Sequence, residues 1–212
     1  MPSGALITFA LNISSAFVAL LTSYYAYRSN RLVRSPALGA INVGFMLLGV
    51  GLAVDAGTSL VSGRLLVELP AERAFILLSS LTYLTLQLLA YLVIAVSYTR
   101  AAYGRPGAAA PAALAGVAAL GLYRFSLLSY FVTVILLAFI VFQGMLVRSE
   151  GRGRFSRTVL LGFGLILFAH LVLLLAVLVM GPTLFLAGTA VQFFGFVSLL
   201  AFVVRSEVVV PG

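Results

Sequence analysis

Six apolar runs, at roughly 5–27, 37–61, 74–98, 125–147, 158–180 and 183–204, are each long enough to cross about 30 Å of hydrocarbon as a helix. A chain carrying this many such runs has few choices. In lipid every backbone N–H and C=O must be satisfied within the segment itself, which leaves helices for runs of this length. The remaining composition agrees: 63% of the 212 residues are hydrophobic, 8% are charged, and the mean hydropathy is +1.20. The stretches between apolar segments are about ten residues or shorter, so no soluble catalytic domain is expected between them. The expected fold is an all-α integral membrane protein whose embedded helices carry the function.

A seventh segment, 107–122, is short and rich in Ala and Gly, and hydropathy alone does not decide whether it spans. The arginines do. If it spans, Arg28, Arg31, Arg34, Arg100, Arg105, Arg148, Arg152, Arg154, Arg157 and Arg205 share one side, and Arg64, Arg73 and Arg124 the other. Such a bias is what the positive-inside rule produces. With six spans the Arg148–Arg157 run would face outward and the bias would collapse. The reading is therefore seven helices in a single domain, N-terminus outside and C-terminus in the cytoplasm, in the cell membrane. Met1–Gly4 carries no basic n-region, so the first run reads as a helix rather than a cleavable signal. Ser35-Pro36 offers a helix start, with Ser as N-cap and Pro at the first helical position.

Absences exclude much chemistry. With no Cys there are no disulfides, thiolate metal ligands or thiol nucleophiles. All thirteen basic residues are Arg, so no lysine can form a Schiff base with retinal. A single His cannot make a bis-His haem site. No paired acids, no nucleophile with its base and no metal spacing occur in the spans. An enzyme is not expected, nor a cofactor, a bound metal or retinal. A net charge of +8 confined to short loops reflects topology rather than nucleic-acid binding.

The first three and last three long segments match faintly in order. Arg28-Ser29 falls over Arg148-Ser149, Arg34 over Arg154, Gly44 over Gly164 and Leu47 over Leu167, all at a spacing of 120; Gln87 over Gln192, Ala90 over Gly195, Tyr91 over Phe196 and Arg100 over Arg205 match at 105. The expectation is a parallel repeat, about 5–100 and about 125–205, joined by a linker helix at about 107–122 that restores direction. This three-plus-one-plus-three layout resembles SWEET sugar transporters, trimeric intracellular cation channels and, in layout only, the seven-helix opsins. It also resembles the seven-helix sensor domains that precede histidine kinases. The resemblance covers the whole chain but is architectural: the Pro-Gln pair of SWEET relatives and the opsin lysine are both missing.

Ionisable groups inside a bilayer are expensive, about 2.5–3.5 kcal/mol for Asp at a helix centre, and mark functional sites. Asp55 and His170 are the only acidic and imidazole side chains within the spans. Thr8, Asn12, Ser15, Ala19, Thr22 and Ala26 form a small, polar stripe at helical spacing. Gly44, Leu48, Gly51, Asp55, Thr58 and Ser62 form another, which places Asn12 near Asp55. Interhelical hydrogen bonding is one reading of these groups. The other is an outward-facing polar pocket with Asn12, Asp55 and Tyr83 at its mouth, Ser80 beside them, and Gln87, His170 and Gln192 as its floor. Tyr24, Tyr25, Tyr27, Tyr98, Tyr103 and Tyr123, at helix ends, read as an aromatic belt.

Only Pro111 of the seven prolines lies within a span, and neither a charged ring nor a filter-like loop is present. The sequence therefore favours a non-enzymatic bundle that senses a small ligand or serves as the membrane subunit of a larger assembly. Its Arg-rich inner loops would dock a membrane or cytoplasmic signalling protein. The alternative is a small-solute or cation transporter or channel.

Overall fold

The computed structural model describes residues 3–62, 70–103, 126–149 and 157–208. These form six helices: α1 (Ser3–Val33), α2 (Pro36–Ser62), α3 (Pro70–Tyr103), α4 (Ser126–Ser149), α5 (Arg157–Val179) and α6 (Pro182–Val208). Among the described residues there is no strand, and all six helices are long and apolar enough to cross a membrane. The described residues form an all-helical bundle of the kind a multi-pass membrane protein presents. The short segment expected at 107–122 lies outside the described residues.

Helix ends follow local chemistry. The Ser35 carbonyl accepts the first α2 bond from Gly39 N at 3.1 Å, which puts Ser35 at the N-cap and Pro36 at the first helical position, as the sequence predicts. Immediately before it, Arg34 ends α1 in the left-handed region (φ 50°), with its N–H on the Asn30 carbonyl at 2.8 Å. The α5–α6 turn uses the same device. Met180 is left-handed (φ 52°) and Gly181 N bonds Ala176 O at 3.0 Å, the bond of a Schellman cap; Pro182 then opens α6.

The helices close into a ring in chain order, each packed on its neighbours and α6 on α1. Contacts along the helices fix their directions. Asn12 meets Asp55 and Ser23 meets Asn42, so α1 and α2 are antiparallel. Gly44 sits against Ala90 and Ile94, and Gly51 against Tyr83 and Leu86, so α2 and α3 are antiparallel. Gly162 lies against Gly195 and Leu199, and Gly188 against Ala169 and Leu173, which makes α5 and α6 antiparallel. Tyr130, one turn into α4, shares a cavity with Ser80 and Tyr83 from the first half of α3 and Leu173 from the last third of α5. Thus α4 runs parallel to α3. The chain leaves α3 at one end of the bundle and enters α4 at the other. Arg28, Arg31, Arg34, Arg148, Arg157 and Arg205 all belong to helix ends at the same end of the bundle, and all six are exposed.

The bundle is apolar outside and carries polar groups within. Phe17, Leu78, Phe142, Leu161, Leu178 and Phe194 are exposed on the outer surface, whereas Asn12, Ser15, Thr22, Gln87, Thr133 and Gln192 are buried. That distribution suits a lipid surround, where exposed apolar side chains cost nothing and polar ones face the interior. At the centre lie Phe45, Tyr91, Phe163 and Phe196, all fully buried. Phe45 and Phe196 meet edge-on with centroids 5.8 Å apart, and Tyr98 meets Phe163 at 6.1 Å.

Two expectations change here. Tyr24 and Tyr27 are exposed as a belt requires, but Tyr98 is a core residue that points into the bundle, its ring edge-on to Phe163 of α5. The side chains of Tyr103 and Tyr123 lie outside the described set. Gly164, expected to correspond to Gly44, has nothing within 4 Å of where a Cβ would be. Gly162, two residues earlier, is the one in close contact with its neighbouring helix.

Candidate functional site

Small side chains on α1 and α2 allow the close approach that the polar stripes require. Ala16, Ala19 and Ala26 are buried, and Gly49 lies against the Ala16 carbonyl and the Leu20 side chain. Between these apolar contacts the two helices are tied by polar bonds. Ser23 Oγ donates to the Asn42 side-chain oxygen at 2.8 Å, and Asn12 Nδ2 donates to Asp55 Oδ2 at 2.7 Å. The stripe expected on α1 is buried from Asn12 through Ser15, Ala19 and Thr22 to Ala26.

Beside the Asn12–Asp55 pair lies a cavity of about 180 Å³, lined by Asn12, Asp55, Ser80, Tyr83, Leu84, Tyr130, Leu173, Phe185, Thr189 and Gln192. All six helices contribute. The volume is below the range of sites for drug-sized molecules, so a ligand here would be small. Among the described residues Asp55 is the only acidic or basic side chain in the lining. Tyr83 and Tyr130 lie close enough to feel its charge, and Gln192 is beside Tyr83. Gln192 is 3% exposed, and its Nε2 has no hydrogen-bond partner. A buried amide donor normally finds one, because leaving it unpaired costs about 1–3 kcal/mol.

Deeper in the bundle, Gln87 and His170 are bonded side chain to side chain, from α3 to α5. The imidazole Nδ1 lies 2.9 Å from the Ile166 carbonyl. A carbonyl can only accept, so Nδ1 carries the proton, Nε2 is the acceptor, and the Gln87 amide donates to it. Tyr91 packs edge-on against the imidazole at 5.7 Å. Gln87, Tyr91 and His170 are each at most 1% exposed. Phe45, Phe163 and Phe196 are equally buried in the same interior.

The six candidate residues therefore separate. Asn12, Asp55, Tyr83 and Gln192 line one cavity, and Ser80 joins them. Gln87 and His170 are absent from the lining and satisfy each other instead. Tyr130, Leu173, Phe185, Leu84 and Thr189 also line it, and none was singled out by sequence. Their signal was available at a slightly different register: Asn12 to Tyr130 and Asp55 to Leu173 are each 118 residues apart, while Ser80 to Phe185 and Leu84 to Thr189 are each 105 apart.

Chemically, the cavity offers one carboxylate, one unsatisfied amide donor, hydroxyls and aromatic faces. Among the described residues no group of three His, Cys, Asp or Glu side chains converges to hold a metal. The chain matches no family model, no curated protein and no solved structure.

Proposed function

We propose that the chain is a non-enzymatic seven-helix membrane protein, built from two parallel three-helix halves, that binds a small ligand in the cavity between them. Four observations support it. First, the 22 residues from 104 to 125 must join helix ends at opposite ends of the bundle. As a helix they would measure about 33 Å, enough to cross the hydrocarbon core. Second, the exposed arginines described at one end supply the bias of an N-out, C-in chain.

Third, helix packing in the two halves corresponds at constant spacing. Gly44 on Ala90 is matched by Gly162 on Gly195, and Gly51 on Tyr83 by Ala169 on Gly188. The α2–α5 spacing is 118 rather than 120, and the α3–α6 spacing is 105. Fourth, the same two spacings pair eight of the ten cavity residues: Asn12 with Tyr130, Asp55 with Leu173, Ser80 with Phe185 and Leu84 with Thr189. A cavity lined by corresponding positions of two repeats lies on the axis relating them. Its charge is one-sided, with the carboxylate in the first half, whereas both halves supply hydroxyl or amide groups.

The observation that favours binding over conduction is the burial of Phe45, Gln87, Tyr91, Phe163, His170 and Phe196 in the bundle interior, none of which lines the cavity. The exposed arginines at the inner end offer a docking face for a membrane or cytoplasmic partner. A transporter is the second reading, favoured by the axial position of the cavity. The test is reconstitution of the purified chain in proteoliposomes against a panel of monovalent cations and small polar solutes, with parallel affinity purification from native membranes. Binding predicts no flux above empty liposomes and a stoichiometric partner. Flux that falls on Asp55→Asn would establish transport instead.

A further inference from the structure

We infer that the cavity selects a small organic monocation carrying an acceptor oxygen, an amino-alcohol type of ligand. The inference rests on the binding reading above and adds the ligand's chemistry.

Charge sets the first requirement. Among the described residues Asp55 is the single charged side chain in the lining, and Asn12 satisfies one of its two oxygens at 2.7 Å. A carboxylate retains acceptor capacity beyond one bond, and no described residue of the lining neutralises it. A bound carboxylate or phosphate would meet this charge with no described cation in the lining to offset it, so anions and zwitterions are disfavoured. A monocation is complementary.

The walls set the second. Tyr83, Tyr130 and Phe185 bring three aromatic rings to a space that also holds Asp55. Aromatic faces attract a cation held within about 6 Å of the ring, and rings grouped around one acid are how alkylammonium groups are recognised. Leu84 and Leu173 complete an apolar wall suited to methyl and methylene groups. A bare inorganic cation instead prefers several oxygens in close shell, and most of this lining is carbon.

The third requirement comes from Gln192. It lines the cavity, is 3% exposed, and leaves Nε2 without a partner. A ligand oxygen would accept from that N–H. The cavity of about 180 Å³ admits a molecule with a handful of non-hydrogen atoms.

The chain has no cysteine, so Ser80→Cys creates a unique thiol in the lining. The full-length variant is purified in detergent, and its modification by a small neutral methanethiosulfonate is timed. The probes are choline, tetramethylammonium, sodium chloride and 3,3-dimethyl-1-butanol, the uncharged isostere of choline. The expected result is tenfold or greater slowing by choline, weaker slowing by tetramethylammonium, and none by sodium or the alcohol. Asp55→Asn in the same background should lose the protection, read as the ratio of its own labelling rates with and without choline, since removing the carboxylate changes the basal thiolate fraction. Equal protection by the alcohol, protection by sodium, or protection that survives Asp55→Asn overturns the cation inference and leaves the pocket reading standing. Rapid labelling with no protection by any probe does the same. A thiol that does not react overturns both.

Discussion

Asn12 Nδ2 donates to Asp55 Oδ2 at 2.7 Å, and this bond joins α1 to α2 at the level of the cavity. It makes the one acidic side chain described in the spans part of the structure as well as of the site. Asn12→Leu should cost about 0.6–1.7 kcal/mol, the range for interhelical hydrogen bonds in membranes. Asp55→Asn keeps an acceptor oxygen facing Asn12 and should change stability by less than about 0.5 kcal/mol on the same scale. Reversible unfolding in mixed micelles measures both. Equal, large losses would mean that the carboxylate charge, rather than the bond, holds the helices.

The Gln87–His170 pair makes a sharper stability prediction, because both groups are buried and each is the other's partner. His170→Leu strands the Gln87 amide in the core and should cost about 1–3 kcal/mol, the usual range for an unpaired buried polar group. Gln87→Leu in the His170→Leu background removes the stranded group and should recover about half of that loss or more. The double-mutant cycle reads the coupling directly. Additive losses would contradict a mutual hydrogen bond.

Glycines at the α5–α6 contact predict a contrast between neighbouring sites. A Cβ on Gly195 would fall 2.6 Å from Ile166 Cγ1 and 3.2 Å from the Gly162 carbonyl, so Gly195→Ala overpacks two backbones and should cost about 1–3 kcal/mol. Gly57 and Gly164 have nothing within 4 Å. Ala there should be neutral or stabilising by up to about 1 kcal/mol, since Gly in a helix interior is the weaker former. Thermal midpoints of the three variants in one detergent test the ranking.

What could be read from the chain, and what could not, follows from the physics of each signal. Span length and arginine placement depend on composition summed over about twenty residues, which is why all six long runs became helices and Ser35-Pro36 marked a helix start. Asn12 beside Asp55 was legible because small residues at three- and four-residue spacing fix a face. Depth alone did not distinguish a residue in the cavity from one a turn below it. The spacing of 105 sets Gln87 over Gln192, yet the cavity claims Gln192 while His170 engages Gln87. Leu52, 118 residues before His170, has no polar group to offer Gln192 such a bond. The two-residue slip between 118 and 120 hid Tyr130 and Leu173, since one apolar position resembles the next until packing is seen.

The measurement that bears most directly on two parallel halves around one cavity is the sidedness of α4. Single cysteines at Leu127, Ser149, Met180 and Ser35, positions at helix ends or turns, are introduced into the cysteine-free chain without changing an arginine. Intact cells are treated with a membrane-impermeant maleimide before and after permeabilisation. The account predicts that the Leu127→Cys and Met180→Cys thiols label from outside, whereas those at Ser149→Cys and Ser35→Cys label only once the membrane is opened. If the Leu127→Cys thiol behaves like that at Ser35→Cys, the chain does not cross between α3 and α4, and the parallel halves and their axial cavity fall together.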